Sequence, residues 1–304
     1  MTMTNYPNGF ANGVTIRNMP LLAAYPGDVF WVSSTAGSSN GKGTFQKPLA
    51  TIAQALDLCT ASAGDIIVLK PGHSETVTAA AGLAIDVAGV AIIGLGAGSL
   101  RPTINFTTVV GADMDIDAAN VTMANMLFTG GIDALTGPID INAADCTLVN
   151  IETRDVTGQA VDFIVTDDNC DRLKINGWKH LGASAAGADT AITLVGGDDW
   201  EITNFDIYGN FAVAAIENVT TAANRIKINN GFAETANSAD VLITMVATTT
   251  GFIGPYINGR LADNAANITE ALVGADCQFM QPINLVNLDG ESSMQTNITA
   301  STDA

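Results

Sequence analysis

Two short segments carry the residue types most able to act on a charged polymer: Asp198-Asp199 and Arg225-Ile226-Lys227. Adjacent carboxylates can divide acid and base work, and an arginine beside a lysine can hold a substrate's acidic groups. The two histidines, His73 and His180, are remote from both segments in sequence, so no histidine joins either one locally. Arg225-Ile226-Lys227 aligns with Arg172-Leu173-Lys174 one pattern earlier, as two polar residues flanking an inward apolar one. A strand with one wet face looks like that. Two acidic sets could hold a hard cation: Asp113, Asp115 and Asp117, or Asp167, Asp168 and Asp171. Alternate residues of a strand point the same way, so the first set could converge. Acidic turns in a soluble protein do the same with no ion, and we read both sets so. No Ser, His and Asp set can be assembled, since His73 follows the turn Pro71-Gly72 and His180 reads as irregular. Gly94-Leu95-Gly96-Ala97-Gly98 lacks the helix and lysine of a phosphate loop. The expectation is no catalytic residue, no enzyme activity, no cofactor and no metal.

The chain has 304 residues, 47% hydrophobic and 14% charged, with a net charge of −19. A large core can form. Small, β-branched and Asx residues dominate, which suits short strands and tight turns. The acidity repels phosphate backbones, so no nucleic-acid partner is expected. Cys59, Cys146, Cys170 and Cys277 are scattered and form no CxxC pair, so they read as buried free thiols. The start has neither the basic nor the apolar region of a secretory signal. Residues 79–98 are apolar, but Asp86, five glycines and the lack of basic flanks argue for two buried strands rather than a membrane span.

Elements must position any such residues, and a repeat supplies them. The segments VTMAN, CTLVN, RLKIN, WEITN and RIKIN end at Asn125, Asn150, Asn176, Asn204 and Asn229, with spacings of 25, 26, 28 and 25. A second strand precedes each: Met114 to Asp117, Ile139 to Asn142, Phe163 to Thr166, Ile192 to Val195 and Val213 to Ile216. Helical repeats need periods above about 30, so this pattern predicts a solenoid of short strands. The expected fold is all-β: a right-handed parallel β-helix with coils of about 26 residues, stacked about 4.8 Å apart, and a short N-terminal capping helix. The recurrent asparagines should stack at one corner. Cys146 and Cys277 fall where Val121 falls, so they should face the core.

Four regions follow. Residues 1–28 form an extended arm. Residues 29–75 hold a strand, a Gly/Ser loop and the capping helix, expected from Pro48 to Ala61 because Ile52, Ala55, Leu56 and Cys59 fall at helical spacing. Residues 76–290 form the β-helix, and 291–304 a polar tail.

The stretch from Gly41 to Val77 resembles the leading motif of pectin-lyase-like β-helix proteins, through Pro48, Thr51, Ile52, Ala55, Gly64, Asp65, Ile67, Val68 or Leu69, Pro71 and Gly72. That likeness implies the architecture and says little about activity. Polygalacturonase-like members would add a Gly-His-Gly, which is absent here. Longer segments resemble a group of phage virion structural proteins: NYPNGFANGVTIR-x-MPLL at Asn5 to Leu22, YPG-x-VFWV at Tyr25 to Val32, Ile92 to Thr103, and VGGDD at Val195 to Asp199. This resemblance implies a part of the phage particle.

The expected function is therefore a non-enzymatic phage structural protein, a capsid auxiliary or decoration protein that stabilises the head. The alternative is a tail spike or fibre component that binds or cuts host surface polysaccharide. Partners would be the major capsid protein or other virion proteins, with a homotrimer as the expected oligomer, no membrane, and a place on the particle surface. The arm carries eight sizeable apolar side chains among Asn, Gly and Pro. Tyr6, Phe10, Ile16, Met19, Leu21 and Leu22 are the expected subunit or capsid interface.

Overall fold

The structure, a computed structural model, describes residues 14–16, 19–21, 27–155, 160–183, 187–236, 241–261, 271–287 and 292–294. It is an all-β solenoid of parallel strands. Each coil has three strands, so the cross-section has three faces. Face A begins with Val29–Val32, Ile66–Leu69, Ala91–Gly94 and Thr122–Ala124. Face B begins with Ser74–Val77, Thr103–Phe106 and Leu127–Gly130. Face C is an eight-stranded sheet running from Leu83–Ile85 to Leu272–Val273. In the middle coils faces A and B merge. Thr147–Asp155, Lys174–Leu181, Glu201–Gly209 and Ile226–Thr235 each run across both.

Alternation explains the packing. Ile67, Leu69, Ile92, Met123, Leu148, Ile175, Ile202 and Ile228 point inward and are buried, while their neighbours in sequence point out. Each inward residue sits on its counterpart one coil away: Met123 on Leu148, Leu148 on Ile175, and Ile175 on Ile202. Cys146, Cys170 and Cys277 are buried in this stack and Cys59 is partly buried, all as free thiols. Burial lifts the Cys146 thiol to about 11.

Two corners bend by single residues in the left-handed region. Between faces A and B these are Asn125, Asn150, Gly177, Asn204, Asn230 and Tyr256, with φ between 49° and 76°. Asparagine tolerates this conformation better than most residues, and glycine adopts it without strain. The asparagine ladder is thus real, with a shifted membership. Asn150 Nδ2 donates to Asn125 Oδ1 (3.0 Å), Asn204 Nδ2 to Asn176 Oδ1 (2.6 Å), and Asn230 Nδ2 to Asn204 Oδ1. Asn176 and Asn229 stand one residue before the bend, aligned with Val149 and Thr203. Arg101 clamps the corner from outside. Its guanidinium donates to Asn125 at the bend of one coil and to Asn150 and Glu152 on the next.

The helix covers the first coil but is shorter than its spacing implies, spanning Ile52–Leu56 with Thr51 as N-cap. Leu49 is drawn into a bridge with Val32, and the Thr60 N–H is taken by Asp65 Oδ2. Both flanks are thus committed elsewhere. At the far end, Ser292–Met294 turns back antiparallel on Ile283–Asn287. Reversed pairing there covers an edge on which another parallel strand could add. In the arm, Val14–Ile16 pairs antiparallel with Met19–Leu21.

Candidate functional site

The corner between faces C and A carries the charged residues singled out above. Among its left-handed positions are Gly89, Asn120, Asp145, Arg172, Asp199 and Arg225, on successive coils. Acid and base therefore alternate along the corner. Arg172 grips Asp145 through Nε and Nη2 (2.7 and 2.9 Å), and Arg225 grips Asp199 in the same way (2.7 Å each). The Arg225 hydrogen bond holds the Asp199 carboxyl below its usual range. Asp199 is thus a fixed anion and a poor proton donor. Asp198 accepts from the Asn224 backbone and side chain, so the paired acids serve the corner. Ile226 is buried between exposed Arg225 and Lys227, as the alternation requires.

Beside this corner, face A opens into a groove. A cavity of about 500 Å³ is lined by Asp199, Arg225, Lys227, Thr250, Phe252, Asp276 and Gln278 among others. Lys227, Phe252 and Gln278 form one outward row on successive coils. Phe252 is 43% exposed. A second hollow of about 270 Å³ continues along the same face over Thr147, Lys174, Asn176, Glu201 and Thr203. The groove thus offers an aromatic surface, cations, carboxylates and amides over several coils. Sequence reasoning found Arg225, Lys227 and Asp199 but missed Phe252, Asp276 and Gln278. The usable signal was the register itself, since adding one coil to Lys227 reaches Phe252.

Neither histidine reaches the groove. His73 is buried at the first coil, where Nδ1 accepts from the Ser34 N–H (3.0 Å) and Nε2 donates to Glu75 (3.2 Å). Glu75 in turn accepts from the Ile52 N–H at the helix start (3.0 Å). His180 lies in the strand Lys174–Leu181, contrary to its irregular appearance in sequence. It is buried among Phe163, Trp178 and Phe211, and burial pushes it down to about 3.

The two acidic sets behave differently. Asp167 and Asp171 are spent on turn hydrogen bonds, to Asn169 and to the Asp198 N–H. Asp113, Asp115 and Asp117 do share the outside of face C, and Asp140 joins them in register with Asp115. Burial, then Asp113, Asp140 and Asp117, pushes Asp115 up to about 6. No group of three or more candidate ligands among the described residues could hold a metal ion. The raised pKa means that the fold disfavours ionised Asp115 above about pH 6, and the cost fades as pH falls toward the unfolded value. Asp115→Asn is therefore expected to raise the urea midpoint at pH 8, to keep part of that advantage at pH 5 and to lose it near pH ~4, close to the unfolded value. An equal midpoint at pH 8 would refute the crowding.

Of the expected interface residues, Ile16, Met19 and Leu21 fall in the paired strands of the arm. Tyr6, Phe10 and Leu22 lie outside the described residues. No helix among the described residues is long and apolar enough to cross a membrane.

No family model and no curated protein matches the chain. Among solved structures it is similar to a rhamnogalacturonan lyase, at 12% identity and a TM-score of 0.43, over 87% of this chain and 88% of that one. It is also similar to a GH136 lacto-N-biosidase from Eubacterium ramulus, at 14% identity and a TM-score of 0.40, over 86% of this chain and 51% of that one. The chain spans about half the length of this second protein. Both comparison proteins are enzymes, and on that finding the expectation of a chain without activity is withdrawn.

Proposed function

We propose that the chain is a structural protein on the outside of a phage particle, and that its groove on face A holds an extended, hydroxyl-rich glycan. The observation that carries the glycan reading is the row Lys227, Phe252 and Gln278 beside Arg225 and Asp199 in one cleft. An aromatic face offers stacking, while charged and amide groups of both signs suit hydroxyls that donate and accept. Coils about 4.8 Å apart repeat that surface along the rod, which favours a polymer over a compact ligand. The particle reading is supported by the likeness of residues 5–22, 25–32, 92–103 and 195–199 to phage virion structural proteins. Expected partners are the major capsid protein or other virion proteins. A head position, as a capsid auxiliary protein, is the finer reading on that side; a tail spike or fibre position would suit the groove equally.

The test is a screen of the purified protein on an array of bacterial surface polysaccharides, followed by titration of the best binder. Phe252→Ala and Lys227→Ala are each expected to weaken binding about tenfold, the loss of ~1.4 kcal/mol of stacking or charged contact. The same samples should be followed for newly released reducing or unsaturated ends, which tells holding from cutting. Binding to no polysaccharide, or binding unchanged in both variants, would remove the glycan reading. Labelled antibodies on purified particles would place the protein on head or tail.

A further inference from the structure

The outward side of face A changes character along the rod. In the later coils it is polar, with Lys174 and Asn176, Glu201 and Thr203, then Lys227 and Asn229. In the first coils the same register positions hold Val29, Ile66 and Ala91 in one row and Val68, Ile93 and Ala124 in the next. Val29 is 47% exposed, and Ile66, Val68, Ala91, Ile93 and Ala124 are all part-exposed. Ile66–Leu69 and Ala91–Gly94 thus read as strands made to be covered on both sides, yet only the inner side is filled.

The chain also contains a segment in need of such a surface. A hairpin of two three-residue strands, Val14–Ile16 with Met19–Leu21, is marginal alone in water. Charge indicates which surface it can approach. Residues 1–27 contain Arg17 and no acidic side chain, whereas the remainder holds all 31 acidic residues against 11 basic ones. Two such rods repel, and the acid-free arm is the part of one chain able to meet another without that penalty.

We propose that the apolar patch on the first coils of face A is the docking site for the amino-terminal hairpin, Val14–Ile16 with Met19–Leu21, of a second copy of this chain. This extends the particle-surface reading by naming what joins the copies, and it is independent of glycan binding. Arms exchanged around a ring close a symmetric oligomer, and three copies is the expected number.

The full-length chain tests this in two variants. Val68→Asn with Ile93→Asn gives the patch the side chain that Asn176 already carries at that register, so the fold should accept it. Ile16→Asn with Leu21→Asn alters the arm alone. Light scattering after size exclusion should give an oligomer for the wild type. Both variants should run as monomers at the same concentration, with at least a hundredfold weaker association and an unchanged melting temperature. Glycan binding by the monomers should be retained, so failure of this proposal and failure of the glycan reading give different results. A wild-type monomer would overturn the exchange in favour of an arm lying on its own rod. So would an oligomer that survives the patch substitutions, which would place the contact elsewhere.

Discussion

Asp65→Ala is expected to lower unfolding free energy by about 4 kcal/mol, the loss of two hydrogen bonds to a buried charged acceptor at about 2 kcal/mol each. Asp65 is 3% exposed. Its Oδ1 accepts from the Asp28 N–H (2.7 Å) and its Oδ2 from the Thr60 N–H (2.6 Å). One side chain thereby ties the exit of the arm, the end of the helical segment and the first full coil. Asp65→Asn keeps one acceptor and should lose about half as much. Urea unfolding with an unchanged slope is the measurement. A loss below ~1 kcal/mol for alanine would mean that water replaces the carboxylate and that the first coil is looser than described.

Acid should unfold the rod from its middle, through His180. Its nitrogen Nδ1 lies 2.8 Å from Thr153 Oγ1, which also accepts from Trp178 Nε1 (2.9 Å). The fold keeps this ring neutral down to about pH 3, whereas an unfolded histidine takes its proton near pH ~6.5. The stability due to neutral burial is complete above the unfolded pKa. It drains as pH falls from ~6.5 toward 3, by up to about 5 kcal/mol. Several carboxyls act in the opposite sense, Asp140, Asp162 and Glu217 among them, each raised chiefly by burial. Asp115 and Asp155 are each raised to about 6, chiefly by burial, so acid relieves their cost over part of the same window. The decisive comparison is therefore between variants. His180→Phe should flatten the dependence of unfolding free energy on pH between 6 and 4 by about 1.4 kcal/mol per unit, one proton's worth. Equal slopes in variant and wild type would refute a buried neutral histidine.

How much of this was legible in the sequence depends on how local each signal is. The solenoid was legible because the same short pattern recurs and its strands pair with themselves. The asparagine row was legible as a corner but misread by one position in two coils. Asn176 precedes Gly177, and Asn229 precedes Asn230, and in both cases the second residue takes the bend. The uneven spacing of 28 between Asn176 and Asn204 came from that slip. The third strand of each coil went unseen since it continues the second across a single bent residue. That is also why His180 looked irregular. In the groove, Arg225 and Lys227 were visible as a local motif. Phe252, Asp276 and Gln278 were not, because each comes from a later coil and contacts the rest only through stacking. The helix was overextended because apolar spacing registers the buried side and is blind to neighbouring backbone already engaged.

The register has a consequence for where the chain can accept new length. From Thr147 to Glu152, Lys174 to Lys179, Glu201 to Asp206 and Lys227 to Phe232, the step around the bent corner is always the same, and each residue meets its counterpart. Differences in coil size are absorbed in the connections on either side of face C, and by shifts in register at the start of its strands. A foreign peptide spliced into one of those connections would leave the bent sheet of faces A and B undisturbed. Peptides spliced into consecutive coils would emerge in a row about 4.8 Å apart, a pitch set by backbone hydrogen bonds whatever the cargo.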